Sequence, residues 1–430
     1  MKRLLMISYP FPPNATAGAV RSERFARYLP AYGWNVDVVS IKPRKGLFVD
    51  QQRLATLPPG VAVHLTPTVD PWLRLRHEAP RNIFLRAGRS GVMRLTSFPD
   101  HMLFWVPFAV SAGGRIRRAK KIDAIYTTSP PHSTHLAGLI LSQRTGIPWV
   151  ADFRDPWTLN AYRENGSHES VGFRIERWLE TSVLKQARIV LANTDANKRN
   201  LAHAFGFLDD QKLIHLPNGW EDFSAGVVYP QPSANGAFRI VHAGTFYPRF
   251  KPYGLLHALA DWKKGKQPPE VCPLTKDKLR VVLLGARDPE TRRVIETLGL
   301  EDLVAITPWV SQEDARAAMC RADMLWATLG TSKESATYVP SKLFEYISAK
   351  RPIIGFFPQG EAEQLIKRSG TGRVFTSDEP EPVIRFLDDA IRSKSHGTPL
   401  IYKPNREYLE SLRAQRVSER FAAILDEITS

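Results

Sequence analysis

The sequence predicts an α/β protein of two doubly wound domains that face a central cleft. Three observations carry the prediction. Short β-branched runs alternate with amphipathic helical stretches from the first residues onward, the pattern of parallel sheets covered by helices on both faces. The alternation lapses at FSAGVVYPQPSANGA, residues 223–237, where Gly, Pro, Ser and Asn gather as in an interdomain linker. A second α/β series then starts afresh. Doubly wound sheets gather ligands at the carboxyl ends of their strands, so the loops there are the candidate site.

In the first domain, residues 1–222, strands are read at Leu4–Ser8, Asn35–Ile41, Val61–Leu65, Ala124–Thr128, Trp149–Asp152 and Ile189–Asn193. VRSERFARYL supplies the first helix, and Gly33 its left-handed stop. In the second domain, residues 238–403, the strands are Arg239–His242, Arg280–Leu284, Val304–Thr307, Met324–Thr328, Ile353–Phe356 and Arg373–Phe375, each followed by a helical pattern. Residues 404–430 read as terminal helices, chiefly over Glu407–Thr429, that pack back on the first domain.

A chain of 430 residues with 43% hydrophobic content can furnish a core for each domain. Cys272 and Cys320 stand in no CxxC or CxxH spacing, which argues against a disulfide scaffold and a structural zinc site and for a reducing compartment. MKRLLMISYPFPPN reads as a first strand, because its apolar run ends in prolines where a signal peptide would continue. No apolar stretch approaches the roughly 20 residues that cross a bilayer. The expected location is cytoplasmic, peripheral on the inner face of the cytoplasmic membrane.

The 59 Lys and Arg against 43 Asp and Glu leave a net charge of +16, which suits a polyanionic partner. Between Pro71 and Lys121, eleven basic residues stand against Glu78 and Asp100, interleaved with groups such as Trp72, Phe84 and Trp105. Such a mixture suits an interfacial surface on anionic lipid, or a solvated basic face around a core helix. Nucleic acid is not expected, since no zinc-finger, helix-turn-helix or RNP signature accompanies the charge.

Several constellations fall at strand ends. Gly18 precedes the first helix, where free N–H groups and the helix dipole favour an anion, although the loop lacks a GxGxxG spacing and the glycine can serve geometry alone. TTSPPHSTHLAG places His132 at a helix start, as a hydrogen-bonding or proton-handling group or as a structural histidine; His135 one turn on has no third ligand to make a metal pair. VADFRDPW sets Asp152, Arg154 and Asp155 after an apolar strand, for sugar recognition and acceptor deprotonation or for a structural Arg154–Asp155 pair. Gly244, Arg249 and Lys251, in HAGTFYPRFKPYG, form a candidate diphosphate clamp, with a solvated basic loop as the alternative. In SATYVPSKLFEYISAK, Pro340 pre-sets a helical turn, Ser341 and Lys342, followed by Leu343, stand where phosphate oxygens would meet the helix N-terminus, and Glu345 can accept two hydrogen bonds from a ribose diol; an amphipathic helix with Leu343, Phe344 and Ile347 in the core and exposed charges is the alternative.

Taken together, ISYPFPPNATAGAVRSERFARYL, ADFRDPW, PNG, HAGTFYPR and PSKLFEYISAKRPIIG resemble glycosyltransferase family 4 and its relatives of the GT-B fold, over nearly the whole chain. The resemblance implies two Rossmann-like domains and sugar transfer from a UDP- or GDP-sugar to a glycan or lipid-linked acceptor in glycoconjugate biosynthesis, with retained configuration and no metal or other cofactor. It assigns Arg249 and Lys251 to the departing diphosphate, Glu345 to the ribose, the backbone near Trp309 and Val310 to the base, and His132 to the donor sugar. The sequence departs from the family at Thr337, where a sugar-contacting glutamate usually stands; Glu334 lies three residues earlier. That departure keeps a noncatalytic sugar-nucleotide-binding subunit in view, and the shared scaffold a sugar-nucleotide epimerase.

Overall fold

The structure, a computed structural model, describes residues 1–14, 16–43, 49–69, 99–162, 170–223, 228–229, 232, 236–246, 250–286, 288–308, 310–397 and 402–430. It divides into two compact units, one of Met1–Gly219 with Ala414–Ser430, the other of Trp220–Arg413. Each unit is a doubly wound parallel sheet, as the alternating pattern predicts.

The first unit holds β1 (Lys2–Ile7), β2 (Trp34–Ile41), β3 (Val61–Thr66), β4 (Ala124–Ser129), β5 (Trp149–Phe153), β6 (Ile189–Ala192) and β7 (Leu213–His215), in the order β3-β2-β1-β4-β5-β6-β7. Its strands are apolar on both sides because both faces are covered. Leu4 and Met6 enter one core with Phe25 of α1 (Val20–Tyr28). Leu5 and Ile7 enter the other, beneath α2 (Val106–Ala119), α3 (Ser133–Thr145) and α4 (Val171–Gln186), with α5 (Asp195–Ala204) following β6. The terminal helix, Ala414–Ile428, completes the first core: Phe421 meets Phe25 at 4.5 Å and Tyr126 at 5.1 Å between ring centroids.

The second unit holds β8 (Phe238–Ala243), β9 (Leu279–Leu284), β10 (Val304–Thr307), β11 (Met324–Thr328), β12 (Ile353–Phe356) and β13 (Gly372–Phe375), in the order β10-β9-β8-β11-β12-β13. Helices α6 (Gly254–Lys263), α7 (Pro289–Leu298), α8 (Gln312–Cys320), α9 (Lys342–Ala349) and α10 (Glu361–Ser369) connect them, and α11 (Pro380–Ser395) follows β13.

The division between units runs at Gly219–Trp220 and Arg413–Ala414, whereas composition places the linker at 223–237, part of which lies outside the described residues. The reason is Trp220, whose buried indole donates to the Leu409 carbonyl and anchors the segment in the second unit. Asp222 pairs with Lys350 in the same unit. Of the basic and apolar stretch 71–121, residues 71–98 lie outside the described ones. Trp105, expected at an interface, is instead in the core, where its indole donates to Thr66 Oγ1 at 2.7 Å. Among the described residues no helix is long and apolar enough to cross a membrane.

Because Phe421 fills a space bounded by Phe25 and Tyr126, Phe421→Ala should cost about 3–5 kcal/mol of first-unit stability. Urea unfolding followed by tryptophan fluorescence measures this. A loss below about 1 kcal/mol would show that the helix contributes little to this core.

Candidate functional site

At the carboxyl edge of the first sheet, the loop after β1 is shaped by short side chains: Ser8 Oγ donates to the Pro10 carbonyl, and Asn14 Nδ2 donates to the Phe11 and Ile41 carbonyls. Gly18 follows. A Cβ there would lie 3.2 Å from Pro10 Cγ, a tight contact, and 3.5 Å from Arg154 Nη2, an ordinary one, so the guanidinium packs directly against this glycine. Arg154 donates to the carbonyls of Gly18 at 2.5 Å, Ser129 at 2.8 Å and Pro130 at 3.0 Å, binding three strand-end loops together. It is thus a loop organiser, and its polar reach is spent on backbone.

Asp152, expected to contact sugar, is wholly buried instead. Arg21 grips it through two bonds, Nε to Oδ2 at 2.8 Å and Nη2 to Oδ1 at 3.1 Å, while Tyr126 Oη at 2.6 Å and Thr128 Oγ1 at 3.1 Å also donate to it. The remaining donors of Arg21 reach Leu216 and Pro217 carbonyls and Asn218 Oδ1. Burial alone would lower the Arg21 pKa, but Asp152 raises it above its ordinary value; burial pushes the Tyr126 phenol well up. A carboxylate so enclosed binds the fold, and its burial closes it to a ligand.

His132 and Asp155 are half-buried at the same edge. The His132 ring stacks on Trp157, centroids 5.1 Å apart and 8° from parallel. Trp157 Nε1 donates to Glu176 Oε2 at 3.2 Å, and Thr158 donates to Glu180 through both its N–H and its hydroxyl. Burial raises Glu180 from 4.5 to about 7. The α3 N-terminus behind His132 is met by a side chain from elsewhere: Asp100 accepts from Ser133 N at 2.9 Å and Ser133 Oγ at 2.7 Å. His135 lies in the core, stacked on Phe153 and bonded to Thr127 Oγ1, and burial pushes its pKa well down.

The second unit builds a separate constellation at the end of β8. Gly244 takes φ 99°, a left-handed turn that glycine adopts without strain. Lys342, the first residue of α9, reaches beneath it, its Nζ 3.7 Å from where a Gly244 Cβ would stand. The same Nζ donates to His242 Nε2 at 3.0 Å, while His242 Nδ1–H donates to the Trp326 carbonyl at 2.9 Å. His242 is therefore a neutral imidazole, and burial followed by the nearby ammonium lowers its pKa well below the ordinary value. Burial brings Lys342 down from 10.5 to about 8, opposed by Glu345, half-buried one turn on. Tyr346 Oη closes the group, accepting from Ala243 N at 2.9 Å and donating to the Trp326 carbonyl at 3.2 Å.

Ser341 is exposed at the α9 N-cap position, and among the described residues nothing accepts from the N–H of Ser341 or Lys342. Leu343, counted with the donor-binding string, turns its side chain wholly into the core, and its N–H is taken by the Pro340 carbonyl. Lys251 is exposed with φ 47° beside Gly330, where any Cβ would strike the Phe250 carbonyl. Val310 is half-buried after β10; Arg249 and Trp309 lie outside the described residues. Thr337 is half-buried in the loop that Glu361 N fastens through the Ala336 carbonyl, and Glu334 is turned outward, held by the Ser332 hydroxyl. Among the described residues no three His, Cys, Asp or Glu side chains gather to hold a metal ion.

Residues 16–219 match the family model described as glycosyl transferase 4-like domain. No curated protein matches the sequence. Sucrose-phosphate synthase from Thermosynechococcus elongatus is similar in structure, with a TM-score of 0.68 at 14% identity over 100% of this chain and 99% of that one. HepE of Anabaena, solved with UDP and glucose, scores 0.63 at 15% identity over 99% and 100%. WaaG, a glycosyltransferase involved in lipopolysaccharide biosynthesis, scores 0.58 at 13% identity over 99% of each chain. These similarities establish the GT-B fold.

Two outcomes follow from the first-unit cluster. Asp152→Ala strands the Arg21 charge in the core and should cost about 3–5 kcal/mol in chemical unfolding, part of which Arg21→Met restores in the double variant. Glu180 is raised from 4.5 to about 7, so folding takes up a proton between those values and stability falls as pH rises through that window. Glu180→Gln should therefore gain stability over the parent above pH 7, by up to about 3 kcal/mol, and show no gain near pH 4. Parallel pH profiles would refute this.

Proposed function

We propose, on the premise that this chain is a glycosyltransferase 4-like protein of GT-B fold, that it transfers a sugar from a UDP- or GDP-sugar to a glycan or lipid-linked acceptor. The observation that carries this reading is the Lys342–His242 pair beneath the Gly244 turn, with Glu345 one helical turn away. A diphosphate set at the α9 N-terminus would meet the Lys342 ammonium, the N–H groups of Ser341 and Lys342, and the positive end of the helix dipole. Glu345 would accept the two ribose hydroxyls. Lys251 from the adjoining loop, together with Arg249, would add cationic charge, and the backbone near Trp309 and Val310 would border the base. UDP is the first choice, supported by the UDP and glucose bound to HepE.

Transfer forms a bond from the acceptor oxygen to the anomeric carbon as the bond to the diphosphate oxygen breaks. Retention of configuration places the acceptor on the face the diphosphate leaves, so the departing phosphate oxygen is the base that takes the acceptor's proton. The protein's part is fixed positive charge where negative charge develops, held in place before the reaction by neutral His242. Cationic groups and a helix end thus do the work for which other enzymes recruit a metal ion. Thr337 puts a short neutral hydroxyl where a carboxylate is usual, which points to a donor sugar recognised through fewer charged hydrogen bonds. His132, braced by Trp157, and Asp155 are assigned to the sugar and acceptor side, with catalysis on the cytoplasmic face of the membrane.

Incubation with UDP- and GDP-sugars and candidate acceptors, followed by mass spectrometry, tests the reading. Nucleoside diphosphate released only when acceptor is present supports it. Epimerised donor without acceptor, or donor binding without turnover on any acceptor, refutes it. Lys342→Met and Glu345→Ala should each weaken donor binding about tenfold or more. Because Lys342 loses its charge near pH 8, donor affinity should fall as pH rises through about 8, and Lys342→Met should flatten that limb.

A further inference from the structure

Helix α4 packs on the core through Val183 and Leu184, but its N-terminal part reverses the usual order. Its two carboxylates, Glu176 and Glu180, are buried, whereas Val171, Ile175 and Trp178 are 64%, 45% and 66% exposed. The spacing i, i+4, i+7 sets these three along one line of the helix, opposite the acids. Ordinary surface helices place those chemistries the other way round. The carboxylates are drawn in by the turn that follows β5, Glu176 by the Trp157 indole and Glu180 by Thr158, but among the described residues nothing covers the outward apolar stripe.

The charge beside the stripe indicates what covers it. Arg174 and Lys185 are exposed on the same side, and α4 has no exposed carboxylate. At its end, Lys185 lies 5.5 Å over the ring of Phe207, itself 41% exposed, and Lys212 Nζ donates to the Lys185 carbonyl. Aromatic and branched apolar groups edged by cations, on a chain of net charge +16, match an anionic bilayer interface: the stripe enters the acyl boundary and the cations meet lipid phosphate.

We propose that the outward face of α4 docks the first unit on an anionic phospholipid membrane. On the opposite side of the helix Glu176 holds Trp157, on which His132 stacks, so docking would set the turn carrying Asp155 one helix diameter, about 10 Å, from the membrane surface, near an acceptor anchored there. This last point rests on the glycosyltransferase reading, while the docking itself does not.

Co-sedimentation of the full chain with phosphatidylcholine vesicles, and with vesicles that also contain phosphatidylglycerol, tests the docking. Wild type should bind only the anionic vesicles, and less as salt increases. The double variant Ile175→Ser, Trp178→Ser should lose about tenfold or more in binding, and Arg174→Glu with Lys185→Glu should do the same, both with unchanged melting temperature. Equal binding to neutral vesicles, no binding by wild type, variants that bind as wild type does, or a wild-type dimer that the serine variant abolishes would each overturn the proposal. Turnover of a water-soluble acceptor analogue, measured alongside, should be unchanged in both variants; its absence in wild type would count against the transferase reading alone.

Discussion

The buried contact between Arg21 and Asp152 holds the carboxyl edge of the first sheet in one piece. The arginine comes from α1, the carboxylate from β5, and the carbonyls of Leu216 and Pro217 from the segment after β7, so one guanidinium joins parts of the chain that are otherwise unrelated. Tyr126 and Thr128 of β4 saturate the acid from the other side. Every N–H of the guanidinium has an acceptor and both carboxylate oxygens accept, which is the condition for a charge to persist in a core. Around it the Gly18 loop and the turn at Asp155 take positions that Arg154 then locks through backbone carbonyls.

The second unit solves a related problem with opposite chemistry. Its strand end carries a cation with no buried acid to neutralise it. A neutral imidazole offers Lys342 a lone pair, and burial lowers the cost of losing the proton until the amine sits near pH 8. Tyr346 ties the same strand end to the helix beneath. What remains, among the described residues, is a cation held by a neutral imidazole, with Glu345 one turn on and two helix-start N–H groups from which nothing accepts.

The fold was legible because its strands are apolar on both faces, as Leu4 to Ile7 show, and because turns such as Gly33 punctuate them cleanly. The α9 string was legible for a local reason: Pro340, Ser341, Lys342 and Glu345 are neighbours, so spacing alone places them. Asp152 misled because its partner is 131 residues away, and a charged group at a strand end looks the same whether it serves the fold or a ligand. Trp105 misled likewise, since an aromatic among cations gives no hint of the threonine hydroxyl that receives its indole. His242, in an apolar strand, carried a signal that went unread: an imidazole there needs two partners, and both lie on other elements.

The terminal helix has a consequence for how the protein is made. The second unit is continuous from Trp220 to Arg413, and the Trp220 indole fastens its beginning near its end at Leu409. The first unit is split, and its core waits for Phe421 and Leu425, which follow the whole of the second unit along the chain. During synthesis the second unit can therefore reach its native state while the sheet face under α1 still lacks Phe421 and Leu425, so the earlier domain is the later one to finish folding.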